Sequence, residues 1–274
     1  MKRRSIQNLF FKTAVLYIIL LGVTAVTAPL IVPYSPTDQD VSIRFSHPDI
    51  IHLMGTDNFG RDLFSRIIFG SQSALIVGIV STSIAVFIGM IIGLWAGLGS
   101  KILDSILMLL MDSLLSFPTI LLAITVVSFF GYGLGQVMVA IGVIFSPVFA
   151  RIVRAETLII KTESFVEASR ALGTPVFKRI FIHIIPNLLA KVIVQSTITF
   201  ALAIVIEASL SYLGLGTQPP TPSWGLMLKD AKDYLVQAPW MAVYPGLILA
   251  FTVFSFNIIG DTLSEKLNPR IIKQ

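Results

Sequence analysis

The apolar residues of this chain fall into six long runs, near 9–32, 74–98, 102–130, 134–150, 192–213 and 243–259. Few architectures accept such runs. A bilayer core about 30 Å thick is crossed by roughly 20 apolar helical residues. In lipid every backbone amide must find its partner within the protein, so runs of this length read as helices. Composition agrees: only 13 % of residues are charged, 55 % are hydrophobic and the mean hydropathy is +0.86, against a charged share of about a quarter in soluble domains. The expected fold class is all-α and integral to a membrane, with six transmembrane helices.

The first run follows Lys2, Arg3 and Arg4 and contains Val26-Thr27-Ala28, so it reads either as a cleavable signal peptide or as an uncleaved anchor. Its length favours the anchor. With the N-terminus inside, six crossings place fifteen of the twenty Lys and Arg residues in the cytoplasm and leave outside only Arg44, Arg61, Arg66, Lys229 and Lys232. That is the positive-inside pattern with both termini cytoplasmic. The basic residues flank the apolar runs, so the net charge of +5 is orientation, and no nucleic-acid partner is expected. There is no cysteine, which removes disulfides, thiolate metal sites and cysteine nucleophiles.

Three segments follow: 1–33 is an N-terminal segment with the first crossing, 34–73 an extracytoplasmic loop, and 74–274 the core membrane domain. Within the last, long connections at 151–191 (cytoplasmic) and 214–242 (external) stand out, and long connections tend to be functional.

In the cytoplasmic connection, Phe165-Val-Glu-Ala-Ser-Arg-Ala-Leu-Gly173 reads as a short helix closed by a glycine in the left-handed conformation. Thr174-Pro175 offers a capping hydroxyl and a proline at the first helical position, so a second helix is expected from Pro175 to about Ile185, stopped by Pro186. The elbow mixes Val166, Leu172, Val176 and Phe177, expected to be exposed, with Arg170, Lys178 and Arg179. Two readings are open: a helix that docks in a partner's groove, or an amphipathic stretch at the membrane surface.

Other candidates are single residues. Asp112 and Glu207 are ionisable groups within apolar runs, which are costly and usually face protein or water. Asp112 is also accounted for as a solvated group near a helix end. Glu207 stands four residues before Ser211 on one helical face, and either lines a path or an interface or neutralises a structural partner. Gly89, Gly93 and Gly97 form a stripe that lets another helix approach closely, and Pro118 is expected to kink the third crossing. Gly55 and Gly60 bracket a loop in which Asp57 or Asn58 caps backbone amides. His47 and His52 are ordinary loop residues in this reading, and no metal site is assigned. No G-x-x-x-x-G-K-[ST] loop is present, so the chain does not itself cradle ATP in that way.

With these residues in view, a family resemblance emerges. Glu167-Ala168-Ser169, then Gly173, then His183-Ile-Ile-Pro186 resembles the EAA loop of ABC importer permeases, with Ser169 for the usual second alanine and His183 for the usual isoleucine. The stretch from His52 through Gly55, Asp57, Arg61 and Asp62 to Arg66 resembles the external loop of dipeptide, oligopeptide and nickel permeases. So does Glu207-Ala-Ser-Leu-Ser211 with its continuation to Trp224-Gly225, and the tail Gly260-Asp261 with Asn268-Pro269-Arg270. The chain is similar to the second permease type of that family.

The resemblance implies the type I ABC importer permease fold with a cytoplasmic coupling helix, in a bacterial inner membrane. It implies that Glu167, Ala168, Ser169, Arg170, Leu172, Gly173, Thr174, Pro175 and Pro186 belong to the contact with the ATPase. The implied partners are a homologous but distinct permease, two cytoplasmic ATPase subunits that hold ATP and magnesium, and an extracytoplasmic binding protein; this chain itself binds no cofactor and catalyses no reaction. Asp57, Arg61 and Asp62 lie in the external loop. Peptides are the expected cargo, with nickel or a metal chelate as the alternative. An intramembrane serine protease would need a histidine among its helices, yet His47, His52 and His183 all fall in loops. A stand-alone secondary transporter would have no use for the elbow.

Overall fold

In the computed structural model, residues 2–267 are described, and among them the fold is built of eleven α-helices and no strand. In chain order these are α1 (Lys2–Val26), α2 (Ala28–Ile31), α3 (Leu63–Leu98), α4 (Lys101–Leu115), α5 (Thr119–Phe130), α6 (Leu134–Ile160), α7 (Ser164–Ala171), α8 (Val176–Arg179), α9 (Ile185–Tyr212), α10 (Trp224–Ala231) and α11 (Trp240–Leu267). Helices α1, α3, α6, α9 and α11 are each long and apolar enough to cross a membrane. Asn268, Pro269 and Arg270 lie outside the described residues.

The third apolar run is not a kinked crossing but a broken one. Helices α4 and α5 meet at 94°, and Pro118 stands at the N-cap of α5 in an extended conformation. Proline supplies no amide to the helix before it and pushes Phe117 away from helical geometry. At about 18 Å, the twelve-residue α5 is too short to cross alone.

Two boundaries also differ from expectation. Helix α3 begins at Leu63, eleven residues before the apolar run, because Asp62 caps it by accepting from the Ser65 amide at 2.8 Å. Three polar residues of its first turns find partners far along the chain: Arg66 donates to the Pro36 carbonyl (3.0 Å), Gln72 to Ala25 (2.7 Å) and Ser73 to Pro222 (3.1 Å). Helix α6 continues to Ile160, so Arg151 and Arg154 belong to it and not to the cytoplasmic connection.

The centre of the bundle is the α3–α6 pair. A Cβ on Gly93 would stand 2.6 Å from the Ala150 carbonyl oxygen and from Val153 Cβ, and one on Gly89 would stand 2.4 Å from Phe149 Cβ. The glycine stripe therefore lies directly on the α6 backbone, the close approach that binds helices where lipid gives no hydrophobic drive. Phe149, Ile141, Leu188 and Leu210 complete a core shared by α3, α5, α6 and α9. Helices α1 and α11 flank it, joined by Tyr17 Oη within 3.0 Å of Thr252 Oγ1. At one end of the bundle, residues 33–62 and 213–239 fold into a cap. Trp224 Nε1 donates to the Ile67 carbonyl (3.1 Å) and Trp240 Nε1 to the Thr56 carbonyl (3.2 Å), pinning cap to bundle.

Candidate functional site

The elbow between α6 and α9 is built by a local code. At the end of α7 the Thr174 amide donates to Ser169 O (3.1 Å) and the Gly173 amide to Arg170 O (3.0 Å), the paired bonds of a Schellman ending. They require Gly173 at φ +76°. The second helix differs from expectation. Its N-cap is Pro175, without a side-chain capping bond, and the helix runs only over Val176–Arg179. Pro186 ends nothing: it lies in the first turn of α9, where a missing amide costs no hydrogen bond. A π-helical turn at Ile180–Ile184, closed by the Ile185 amide on Ile180 O, makes the join. Such single wide turns recur at functional sites.

Val166, expected on the elbow's outer surface, is buried beside Ile184 and Ile160, and Ser169, which the resemblance assigns to the ATPase contact, is buried as well. Glu167, Ala168, Arg170 and Lys178 are exposed. Leu172 is 86 % and Phe177 78 % exposed, so the tip offers apolar side chains that nothing in this chain covers. Behind it lies a cleft of about 430 Å³ lined by Leu98, Lys161, Glu167, Arg170, Arg179 and Ile180 among others. Lys161 Nζ donates to the last-turn carbonyl of Gly97 at 2.8 Å, fixing the elbow's root to α3.

Glu207, 2 % exposed, lies within the chain. Its Oε1 accepts from Ser211 Oγ (2.6 Å) and Thr217 Oγ1 (2.9 Å), while Ser211 Oγ accepts from the Thr217 amide (2.9 Å). The carboxylate and Ser211 thus fasten the start of the 213–239 segment onto the end of α9. Asp112 pairs with Arg151: Nη2 and Nε donate to the same Oδ1 at 2.5 and 3.1 Å. Neighbouring pairs join Arg154 to Asp104 and Lys191 to Glu156. None of these pairs is evident from sequence unless α6 is extended past Ala150.

In the cap, Asp57 Oδ1 accepts from the amides of Phe59 (2.8 Å) and Arg61 (3.0 Å), and its Oδ2 from Arg61 Nε (2.6 Å). Arg61 also reaches Asp230 (3.2 Å), and Arg66 Nε stands 3.6 Å from Asp57. Asp62 holds His52 Nδ1 at 2.9 Å. Burial pushes the Asp230 carboxyl up, opposed by the charges of Arg61 and Arg66. Breaking one member of such a buried network strands the others. Arg61→Ala is therefore expected to destabilise the cap by about 3 kcal/mol or more, read as faster proteolytic cleavage between residues 33 and 62. Unchanged cleavage would show that the network holds nothing.

The sequence pattern of the family described as "Binding-protein-dependent transport system inner membrane component" matches residues 89–273. A putative peptide transport system permease protein of Brucella abortus is 39 % identical over 269 residues, covering 98 % of this chain and 90 % of that protein. The dipeptide transport system permease protein DppC of Alkalihalophilus pseudofirmus is 39 % identical, covering 90 % and 81 %. The glutathione transport system permease protein GsiD of an Escherichia coli strain is 40 % identical, covering 94 % and 86 %. Among solved structures, the inward-facing methionine ABC transporter MetNI superposes with a TM-score of 0.62 at 20 % identity, over 75 % of this chain and 98 % of that one. The fold is that of the type I importer permeases.

Proposed function

Since this chain belongs to the family of binding-protein-dependent transport system inner membrane components, we propose that it forms half of the pore of an ATP-driven importer for di- and oligopeptides. The observation that carries the reading is the elbow. It is a helical projection with an uncovered apolar tip, rooted in α3 through Lys161 and running into α9 through a π-helical turn. Peptide as cargo is supported by the names of relatives alike over nearly the whole chain, a peptide and a dipeptide transport permease.

In this reading two ATPase subunits take the elbows of this chain and of a homologous, distinct permease into their grooves. ATP and magnesium reside on those subunits, and none on this chain. Closure of the ATPases moves the elbows and turns the pore outward, where a binding protein delivers the peptide to the external cap. Both termini lie in the cytoplasm, as the distribution of Lys and Arg supports.

The test is uptake of labelled di- and tripeptides, beside nickel and chelated metals, in cells lacking this chain and in cells with it restored. Peptide uptake is expected to be lost and then regained. Loss of metal uptake alone would move the cargo to the metal branch, and loss of neither would refute the importer.

A further inference from the structure

We propose that the Asp112–Arg151 pair lines the water-filled passage of the importer and takes the charged ends of the peptide as it crosses; this rests on the reading of the chain as half of a peptide pore. The first support is depth. Gly89 and Gly93 of α3 pack on Ser146, Phe149, Ala150 and Val153 of α6, so Arg151 is level with a point between the two glycines. Trp95, an exposed aromatic of the kind that marks a membrane surface, lies about one turn, or roughly 5 Å, nearer the cytoplasm. At the level of Arg151 the outer face of α3 presents Ile91, and about one turn further from Trp95 it presents Phe87, both exposed. The pair is therefore inside the apolar zone, yet both side chains are 53 % exposed. Charges open to that degree are not left against lipid. They face water or protein.

The second support is the way the pair is made. Arg154 grips Asp104 with Nε on one carboxylate oxygen and Nη2 on the other, satisfying both. Arg151 instead places both donors on Oδ1 of Asp112, so Asp112 Oδ2 and Arg151 Nη1 have no hydrogen-bond partner among the described residues. An open acceptor thus stands beside an open donor.

The third support is position. Asp112 lies in the last turn of α4 and its carbonyl accepts from Ser116, at the helix end where the dipole disfavours a carboxylate. The helix dipole does not account for a carboxylate there. Every peptide with free ends carries an ammonium, which suits Oδ2, and a carboxylate, which suits Nη1. A wall bearing one charge of each sign attracts both ends and holds neither tightly, as a conducting site must.

The test uses the complete transporter in vesicles, with a labelled peptide whose uptake the intact chain restores. The double variant Asp112→Asn/Arg151→Gln removes both charges and strands neither. Uptake is expected to fall roughly tenfold or more, the scale of a lost charge-assisted hydrogen bond, while assembly, melting temperature and ATP hydrolysis stay as in the parent. Retained uptake would overturn the proposal, as would a collapse of melting temperature, which marks a merely structural pair. Ser113→Cys, the sole thiol of the resulting chain, reports accessibility in inside-out vesicles. Reaction with a charged, membrane-impermeant reagent is expected, and no reaction would also overturn the proposal. Failure of the importer reading is distinguishable, because then even the unaltered chain would restore no peptide uptake.

Discussion

A transporter carrying Ala168→Arg is expected to assemble, melt like its parent and import almost nothing. Ala168 lies exposed in α7, and arginine is nearly as good a helix former as alanine, so the elbow keeps its shape. What changes is the face that the proposed function sets against the ATPase, where a long cation must be stripped of water without a partner. An unpaired charge in an interface costs several kcal/mol, and every 1.4 kcal/mol is about tenfold, so uptake is expected to fall roughly a hundredfold. Gly173→Asp makes a second case with a different signature. Nothing lies within 4 Å of its added Cβ, but φ of +76° adds about 1–2 kcal/mol of backbone strain. A modest drop in melting temperature should accompany its loss of uptake. Normal import by Ala168→Arg would show that the elbow does not meet the ATPase through this face.

Gly93→Leu is expected to do the opposite and remove the protein altogether. The new side chain would begin 2.6 Å from a main-chain carbonyl of α6, an atom that moves only if the whole helix moves. Overpacking of a close-packed site costs about 1–3 kcal/mol, occasionally more, and a clash with backbone belongs at the upper end. The readout is the yield of monodisperse protein in detergent, with Gly22→Leu as control, since nothing lies within 4 Å of a Cβ at Gly22. A full yield from Gly93→Leu would refute direct contact between the two backbones.

Much of this architecture was legible because lipid imposes so few solutions. The apolar runs locate five crossings, the every-fourth-residue glycines identify the tightest seam, and Gly173 marks the end of α7 because only a left-handed turn closes that helix. Reading fails where a polar residue is satisfied from far along the chain. The start of α3 is hidden because Arg66, Gln72 and Ser73 interrupt the apolar pattern, and their partners Pro36, Ala25 and Pro222 are distant in sequence. Arg151 and Arg154 read as the end of a crossing for the same reason, since Asp112 and Asp104 come from another helix. Pro186 was misleading in another way. Proline forbids a helix interior but suits a helix start, and local sequence does not say which applies when a π-helical turn precedes it. The mooring of Glu207 to Thr217 is likewise set by the fold of the external loop back onto α9.

That mooring and the π-helical turn stand at opposite ends of α9. Its 28 residues make a rod about 42 Å long, with the elbow on one end and the root of the external loop on the other. The rod behaves as a lever arm. A tilt of about 5° around the elbow carries the far end through roughly 4 Å, given that length, and Thr217 travels with it because Glu207 and Ser211 leave no slack. In the proposed function, a displacement applied at the elbow is delivered to the opposite end of the bundle by a single piece of secondary structure.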